Sequence, residues 1–253
     1  MNGSGKNGRK LEDLSNPGAY LRNALRENQF MLYGQRLLPL EKPAGRALVE
    51  VLVRMREEEK ALLPPGEFLP VFQRLGMMPE LDRWVLRETV THFLRGAQAE
   101  RFAVNISLQT LDAGDFPAFF AREVTFAGVS PKSILLEITE SDARSAGGQG
   151  FASAIRDAGA GLVIEDFLCN ESSIELMKLL GPEFVKVEGR IVRKLRSQDA
   201  ARSLLSAAVK AALAGKTKLI AGGVEDSETL SVVTQLGAHH AQGFGIHTPQ
   251  PIE

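Results

Sequence analysis

Apolar positions along the chain switch repeatedly between a period of two and a helical period. Eight runs read as β-strands: 30–38 (FMLYGQRLL), 47–55 (ALVEVLVRM), 101–108 (RFAVNISL), 133–141 (SILLEITES), 160–167 (AGLVIEDF), 183–189 (EFVKVEG), 218–224 (KLIAGGV) and 239–246 (HHAQGFGI). Helical patterns lie between most of them. PELDRWVLRETVTHFLRG sets Leu81, Trp84, Val85, Thr89 and Phe93 near one face, with Pro79 in the first turn. SQDAARSLLSAAVKAALAG offers Ser197 as N-cap and Gly215 as C-cap. DSETLSVVTQLGA opens on an Asp226–Ser227 cap and closes on Gly237.

Repeated strand–helix units favour a parallel sheet, and eight of them in a chain of 253 residues favour a closed (β/α)8 barrel over an open sheet. The connection at 39–46 is too short for a crossover helix, so the first two strands should run antiparallel. The expected fold is therefore an α/β modified TIM barrel with one antiparallel strand. Residues 1–16 read as a flexible lead or expression remnant and 17–253 as the barrel domain.

The polar residues fall at one end of these strands: Gln35, Glu50 with Arg54, Asn105, Glu137 with Glu140, Glu165 with Asp166, Lys186 with Glu188, Glu225 and Gln242. Strand C-termini of a barrel converge on one mouth, where the reactive groups of such folds sit. Carboxylates gathered there need a proton, a basic partner or a cation, and acids with an asparagine suit a hard divalent ion. Plainer alternatives stand beside this. A single acid at a strand end is commonly a helix cap or a surface group. Lys186 and Glu188 share a face and would suit a simple ion pair, Glu140 would suit a cap, and Gln35 a hydrogen bond inside the wall. The same placement on so many strands is what weakens those alternatives.

Net charge is −1, from 30 basic and 31 acidic residues, so no basic field invites nucleic acid or a membrane surface. No apolar run approaches the roughly 18 residues of a membrane span, and MNGSGKNGRK lacks the apolar stretch of a signal peptide. One cysteine, Cys169, excludes an internal disulfide and fits a reducing cytoplasm. The four histidines lack zinc-site spacing.

At this point the residues resemble the EAL domain of bacterial cyclic di-GMP signalling, over roughly 17–251. The family's Glu-Ala-Leu-x-Arg signature is similar to EVLVR (50–54), and its Val-Asn-hydrophobic-Ser to VNIS (104–107). EITES (137–141), EDF (165–167), KVE (186–188) and QGF (242–244) match further family segments in order, and LDRWVLRE (81–88) is typical of its first long helix. The resemblance implies a modified TIM barrel, cleavage of cyclic di-GMP to pGpG in active members, and two Mg2+ or Mn2+ ions, with Ca2+ inhibitory. It implies Glu50, Asn105, Glu137, Glu165 and Asp166 as metal ligands and Lys186 as a group orienting water or ligand. It implies Gln35, Glu50, Leu52, Arg54, Asp82, Asn105, Glu225 and Gln242 as nucleotide contacts.

Four departures bear on that chemistry. Active members carry Ala-Glu-Gly-Val-Glu where this chain has AGGVE (221–225), so Gly222 replaces a glutamate of the catalytic network. Losing general-base help typically costs about 10²–10⁴-fold. EDFLCNESS (165–173) replaces a loop whose two glycines become Leu168 and Asn170, which restricts positive φ. Glu188 stands for aspartate, and MREEEKALLPPGEFLP lacks the usual turn after the signature, with REEEK read as a solvated hairpin tip. Cys169 reads as incidental, a redox role being the rarer case. Arg54, Asp82 and Glu225 stand where non-hydrolysing members hold the dinucleotide, and the EVL form resembles that class. The expectation is a cytoplasmic, non-hydrolysing cyclic di-GMP receptor, coupled to a protein partner or to fused signalling domains. A slow phosphodiesterase and a nucleotide-independent scaffold are the rivals.

Overall fold

The computed structural model describes residues 11, 15–41, 45–56, 62–94 and 100–252, with backbone alone at 93 and 94. Most of the polar lead, most of the REEEK run and the Phe93 side chain lie outside the described residues. Helix α1 (Pro17–Arg26) precedes β1 (Phe30–Arg36), β2 (Leu38–Pro39) and β3 (Ala47–Arg56). Then come β4 (Leu62–Leu63), α2 (Pro65–Arg74), α3 (Met78–Leu94), β5 (Glu100–Asn105), α4 (Leu108–Ala113), α5 (Phe116–Ala127), β6 (Ile134–Thr139), α6 (Glu140–Ala143) and α7 (Ala146–Asp157). The chain continues through β7 (Gly161–Phe167), α8 (Glu171–Leu180), β8 (Phe184–Val187), α9 (Gly189–Lys194), α10 (Asp199–Gly215), β9 (Lys218–Ala221), α11 (Ser227–Gln235), β10 (His240–Ala241) and β11 (Gln250–Pro251).

Strands β3, β5, β6, β7, β8, β9 and β10 pair in that order, all parallel. Strand β1 pairs antiparallel with β3, Gln35 facing Glu50, as the short first connection requires. One residue further on, β2 pairs antiparallel with β10. The segment 30–39 thus bridges the two ends of the parallel array, with Leu37 as the break between its halves, and the modified barrel closes there.

Two cores result. The larger lies between sheet and helices and takes in Phe68, Phe72, Phe102, Phe116 and Phe120. The smaller fills the barrel with one side chain per strand: Leu37, Leu48, Ala103, Leu135, Val163, Phe184 and Ile220. His240 joins this floor, its ring 5.5 Å from that of Phe184. Because side chains of a strand alternate, the residue two positions nearer the mouth on each strand also faces inward, and that second layer is the polar one.

Several strands stop short of their apolar runs. The 239–246 run contributes only His240–Ala241. A Cβ on Gly243 would fall 2.0 Å from the Val224 carbonyl oxygen, so the chain leaves the sheet there and passes against the β9–α11 turn. Ser107 and Thr139, expected inside strands, cap α4 and α6. Asp226 caps α11 as expected, accepting from Thr229 N–H. Helix α10 differs: Gln198 takes the N-cap position, and Lys216 rather than Gly215 takes the left-handed C-cap, at φ 60°.

Candidate functional site

Moving two residues from the floor toward the mouth converts Leu37, Leu48, Ala103, Leu135, Val163, Phe184, Ile220 and His240 into Gln35, Glu50, Asn105, Glu137, Glu165, Lys186, Gly222 and Gln242. Seven of the eight strand positions thus carry a polar side chain, and Gly222 carries none.

Lys186 organises the layer. Its ammonium lies 2.6 Å from Glu137 Oε1, 3.2 Å from Glu50 Oε2 and 3.3 Å from Glu165 Oε2. Gln242 donates to Glu50 and, at 3.0 Å, to Gln35 Oε1. Asn105 donates to Glu50 Oε1 at 3.3 Å, and Gln35 donates to the His247 carbonyl at 2.8 Å. Lys186 therefore pairs across the barrel and not with Glu188, whose carboxylate holds Arg190.

Three carboxylates share one ammonium in a largely buried site, and their acidities separate. Burial alone would raise the Glu50 carboxyl, but Lys186 and the amide donors outweigh it and hold it below the usual range. Burial pushes Glu137 up to about 8, with the charges of Glu50 and Glu165 adding to the effect against Lys186. Burial also raises Glu165. Burial would depress the Lys186 ammonium, but Glu137, Glu50 and Glu165 hold it well above the ordinary lysine range. The oxygens of Glu50, Glu137 and Glu165 lie within 4.8 Å of one another, and all are hard donors. The surplus negative charge they carry is what a divalent cation would relieve, so these residues fit such an ion.

Strand β7 bends where the acids sit. Val163 pairs with Phe184 and Phe167 with Val187, so four steps on β7 match three on β8, a bulge that places Asp166 at φ 52°. Asp166 lines the cavity below but does not join the three clustered carboxylates. The loop that follows meets its missing glycines differently from the sequence expectation. Asn170 stays extended and caps α8 through Ser173 N–H, while Cys169 takes the positive φ, at 60°. Leu168 N–H donates to Glu140 Oε2 at 2.8 Å, and Ser173 Oγ to Glu140 Oε1 at 2.8 Å. Glu140, also paired with Arg144, thus fastens the loop and does not cap a helix. Cys169 is buried, and burial beside Glu140 pushes its thiol up to about 12, which leaves no thiolate for redox chemistry at neutral pH.

A cavity of about 350 Å³ opens over the other half of the mouth. Gln35, Glu50, Lys186 and Gln242 form its inner wall, and Gly222, Gly223, Glu225, Gly243 and Phe244 the β9–β10 side. Gly223 has φ 71°, a turn conformation that favours glycine. Gly222 has no such need. A Cβ there would stand 3.0 Å from the Val187 carbonyl oxygen and 3.6 Å from Lys186 Cγ. Leu52 and Arg54 continue the Glu50 face of β3. The Arg54 guanidinium lies 5.6 Å from the Tyr33 ring centre and donates to the Val53 carbonyl. Asp82 does not line the cavity. It is buried on α3 and accepts from Ser107 N–H, Ser107 Oγ and Thr110 Oγ1 at 2.9, 2.7 and 2.6 Å, which pins the β5–α4 turn. Arg193 of α9 and Phe244, 69% exposed, line the cavity without having been singled out as site residues; single arginines on a short helix carry no periodic signal.

Fold and site together define a modified (β/α)8 barrel whose C-terminal mouth holds an acid–lysine–amide layer. The chain belongs to the EAL domain family, whose model matches residues 19–249. It is 27% identical over 249 residues to the cyclic di-GMP phosphodiesterase PdeF of Escherichia coli, covering 96% of this chain and 33% of that one. It is 25% identical to the cyclic di-GMP phosphodiesterase PdeB of Shewanella oneidensis, covering 90% of this chain and 27% of that one. The chain thus spans about a third of the length of the curated relatives it matches. Among solved structures, the FimX EAL domain of Pseudomonas aeruginosa bound to c-di-GMP superposes with TM-score 0.85 at 24% identity, covering 92% of this chain and 95% of that one. The PaMucR phosphodiesterase in complex with c-di-GMP does so with TM-score 0.82 at 26% identity, covering 92% and 96%. No helix among the described residues is long and apolar enough to cross a membrane.

Proposed function

We propose that this EAL domain is a receptor module that binds cyclic di-GMP and does not hydrolyse it at a useful rate. The observation that carries the reading is the gap at Gly222, the one strand position of the polar layer with no polar side chain, and so with neither a proton acceptor nor a metal oxygen. Binding needs none of these from β9. Gln35, Glu50, Leu52, Arg54, Asn105, Glu225 and Gln242 supply hydrogen bonds, charge and an apolar contact around the mouth, the mixture a small-molecule site uses. Asp82 acts from behind by holding the β5–α4 turn.

Glu50, Asn105, Glu137, Glu165 and Asp166 are the residues that would hold a divalent ion, Mg2+ or Mn2+ by the chemistry of their oxygens. Such an ion, when bound, supplies polarisation of a phosphate and a more acidic water. Lys186 holds Glu50, Glu137 and Glu165 together by charge, and Gln242 and Asn105 orient Glu50. The survival of this cluster favours, as a second reading, a slow phosphodiesterase giving pGpG. A protein partner or fused signalling domains would receive the signal of ligand occupancy.

Calorimetric titration with cyclic di-GMP, with and without Mg2+ or Ca2+, should give saturable heat. Neither heat nor a thermal shift at high ligand would sink the receptor reading. Product analysis with Mg2+ or Mn2+ should show little pGpG from the natural sequence and detectable pGpG from Gly222→Glu. Robust turnover by the natural sequence would instead establish the enzyme.

A further inference from the structure

We propose that Arg193 is the anion-holding residue of the glycine side of the mouth, and that it grips the ligand phosphate lying away from the carboxylates. This rests on the cyclic di-GMP reading, because a cyclic dinucleotide carries two phosphodiesters and the acid cluster with its cation accounts for only one.

Two cations line the cavity, Lys186 and Arg193. Lys186 is already held by three carboxylates. Arg193 forms no ion pair or hydrogen bond among the described residues, although its neighbours do: Arg190 holds Glu188, and Arg196 holds Asp226 and Glu228. Its donors therefore face a cavity that also carries Glu50, Asp166 and Glu225, without being claimed by any of them.

The guanidinium has a built seat. A Cβ on Gly189 would come within 3.1 Å of Arg193 Nη1, and one on Gly223 within 3.5 Å. The first turn of α9 and the β9–α11 turn each present a glycine to it, so the backbone is bare directly against the guanidinium, with Glu225 and Phe244 further along the same side of the cavity. A planar fork of donors lying on bare backbone suits two-point binding of a phosphate, which an ammonium does not reproduce.

The test is calorimetric titration of cyclic di-GMP into the natural sequence, Arg193→Ala, Arg193→Lys and Gly189→Ala, with melting curves on each. Pyrophosphate serves as a second probe. Arg193 is exposed, so its substitution should leave melting unchanged. The expected result is a loss of about tenfold or more for Arg193→Ala and a smaller loss for Arg193→Lys. An intermediate loss is expected for Gly189→Ala, which keeps the charge but displaces the guanidinium. Natural-sequence binding that Arg193→Ala changes less than twofold overturns the inference and leaves the receptor reading intact. Arg193-dependent binding of pyrophosphate without any binding of cyclic di-GMP keeps Arg193 as the anion-holding residue and overturns the receptor reading together with the assignment of the ligand phosphate. Absence of both bindings overturns both.

Discussion

The two halves of the barrel mouth are built on opposite plans. From β3 to β8 every strand carries a polar side chain in the layer above the floor, and these are tied to one another through Lys186 and Gln242. On the β9–β10 side glycines are prominent, with Gly222, Gly223 and Gly243 at the wall beside Glu225 and Phe244, and the Arg193 guanidinium, unpaired among the described residues, nearby. The first half is a cluster in which three carboxylates depend on one ammonium. The second exposes more backbone and, on β9, contributes no side chain to the polar layer. Integrity should depend mainly on the first half and selectivity on the second.

The strongest way to break that contrast is Lys186→Met. It leaves Glu50, Glu137 and Glu165 facing one another in a largely buried site, and removing one partner of a buried charge set costs about 3–5 kcal/mol. Urea unfolding should show that loss; a change below about 1 kcal/mol would mean that water or protons already balance the cluster. Glu140→Gln weakens the fastening of the loop after β7 at Leu168 N–H, Ser173 and Arg144, at a cost of about 1–3 kcal/mol. Hydrogen exchange at the Leu168 amide should speed up, while Asp82 and its turn stay protected.

The floor offers a pH test. Burial lowers His240 to about 4, from an ordinary histidine value of 6.5. The unfolded chain therefore takes up a proton on acidification before the folded one does, and stability falls as pH drops from 6.5 toward 4. Glu41, Lys218 and His239 act on the same ring. His240→Phe, which keeps a ring against Phe184, should flatten that arm by up to about one proton, read from denaturant midpoints across the range. The smallest effect is expected for Gly222→Ala, about 1 kcal/mol, because its Cβ meets the Val187 carbonyl. A cost above that of Glu140→Gln would make the glycine side as specified as the acid side.

Much of this was legible in the sequence because it rests on alternation. Once the strands are found, the apolar floor and the polar layer above it follow from a period of two, and the short first connection dictates the antiparallel pair. The clustering of Glu50, Glu137 and Glu165 around Lys186 was less legible, because the run 183–189 read as one strand puts Lys186 and Glu188 on one face, whereas β8 ends at Val187, Glu188 opens α9, and barrel closure brings the other acids to Lys186. The end of the last strand was illegible for a similar reason: HHAQGFGI alternates well, but Gly243 is pressed on the Val224 backbone, a contact that sequence spacing does not encode. The loop after β7 had the correct ingredients in a different arrangement, with Cys169 rather than Asn170 taking the left-handed conformation. Arg193 gave no signal because its place at the cavity depends on two glycines against its guanidinium, Gly189 one turn back on α9 and Gly223 from a turn distant in sequence.

The close approach of Val187 to Gly222 also sets the terms on which any side chain could enter the site from β9. A Cβ at this position would stand 3.0 Å from the Val187 carbonyl oxygen and 3.6 Å from Lys186 Cγ. A carboxylate introduced there would therefore reach its working position only as the end of β8 gave way by a few tenths of an ångström, so the backbone of one strand meters the chemistry available on the next.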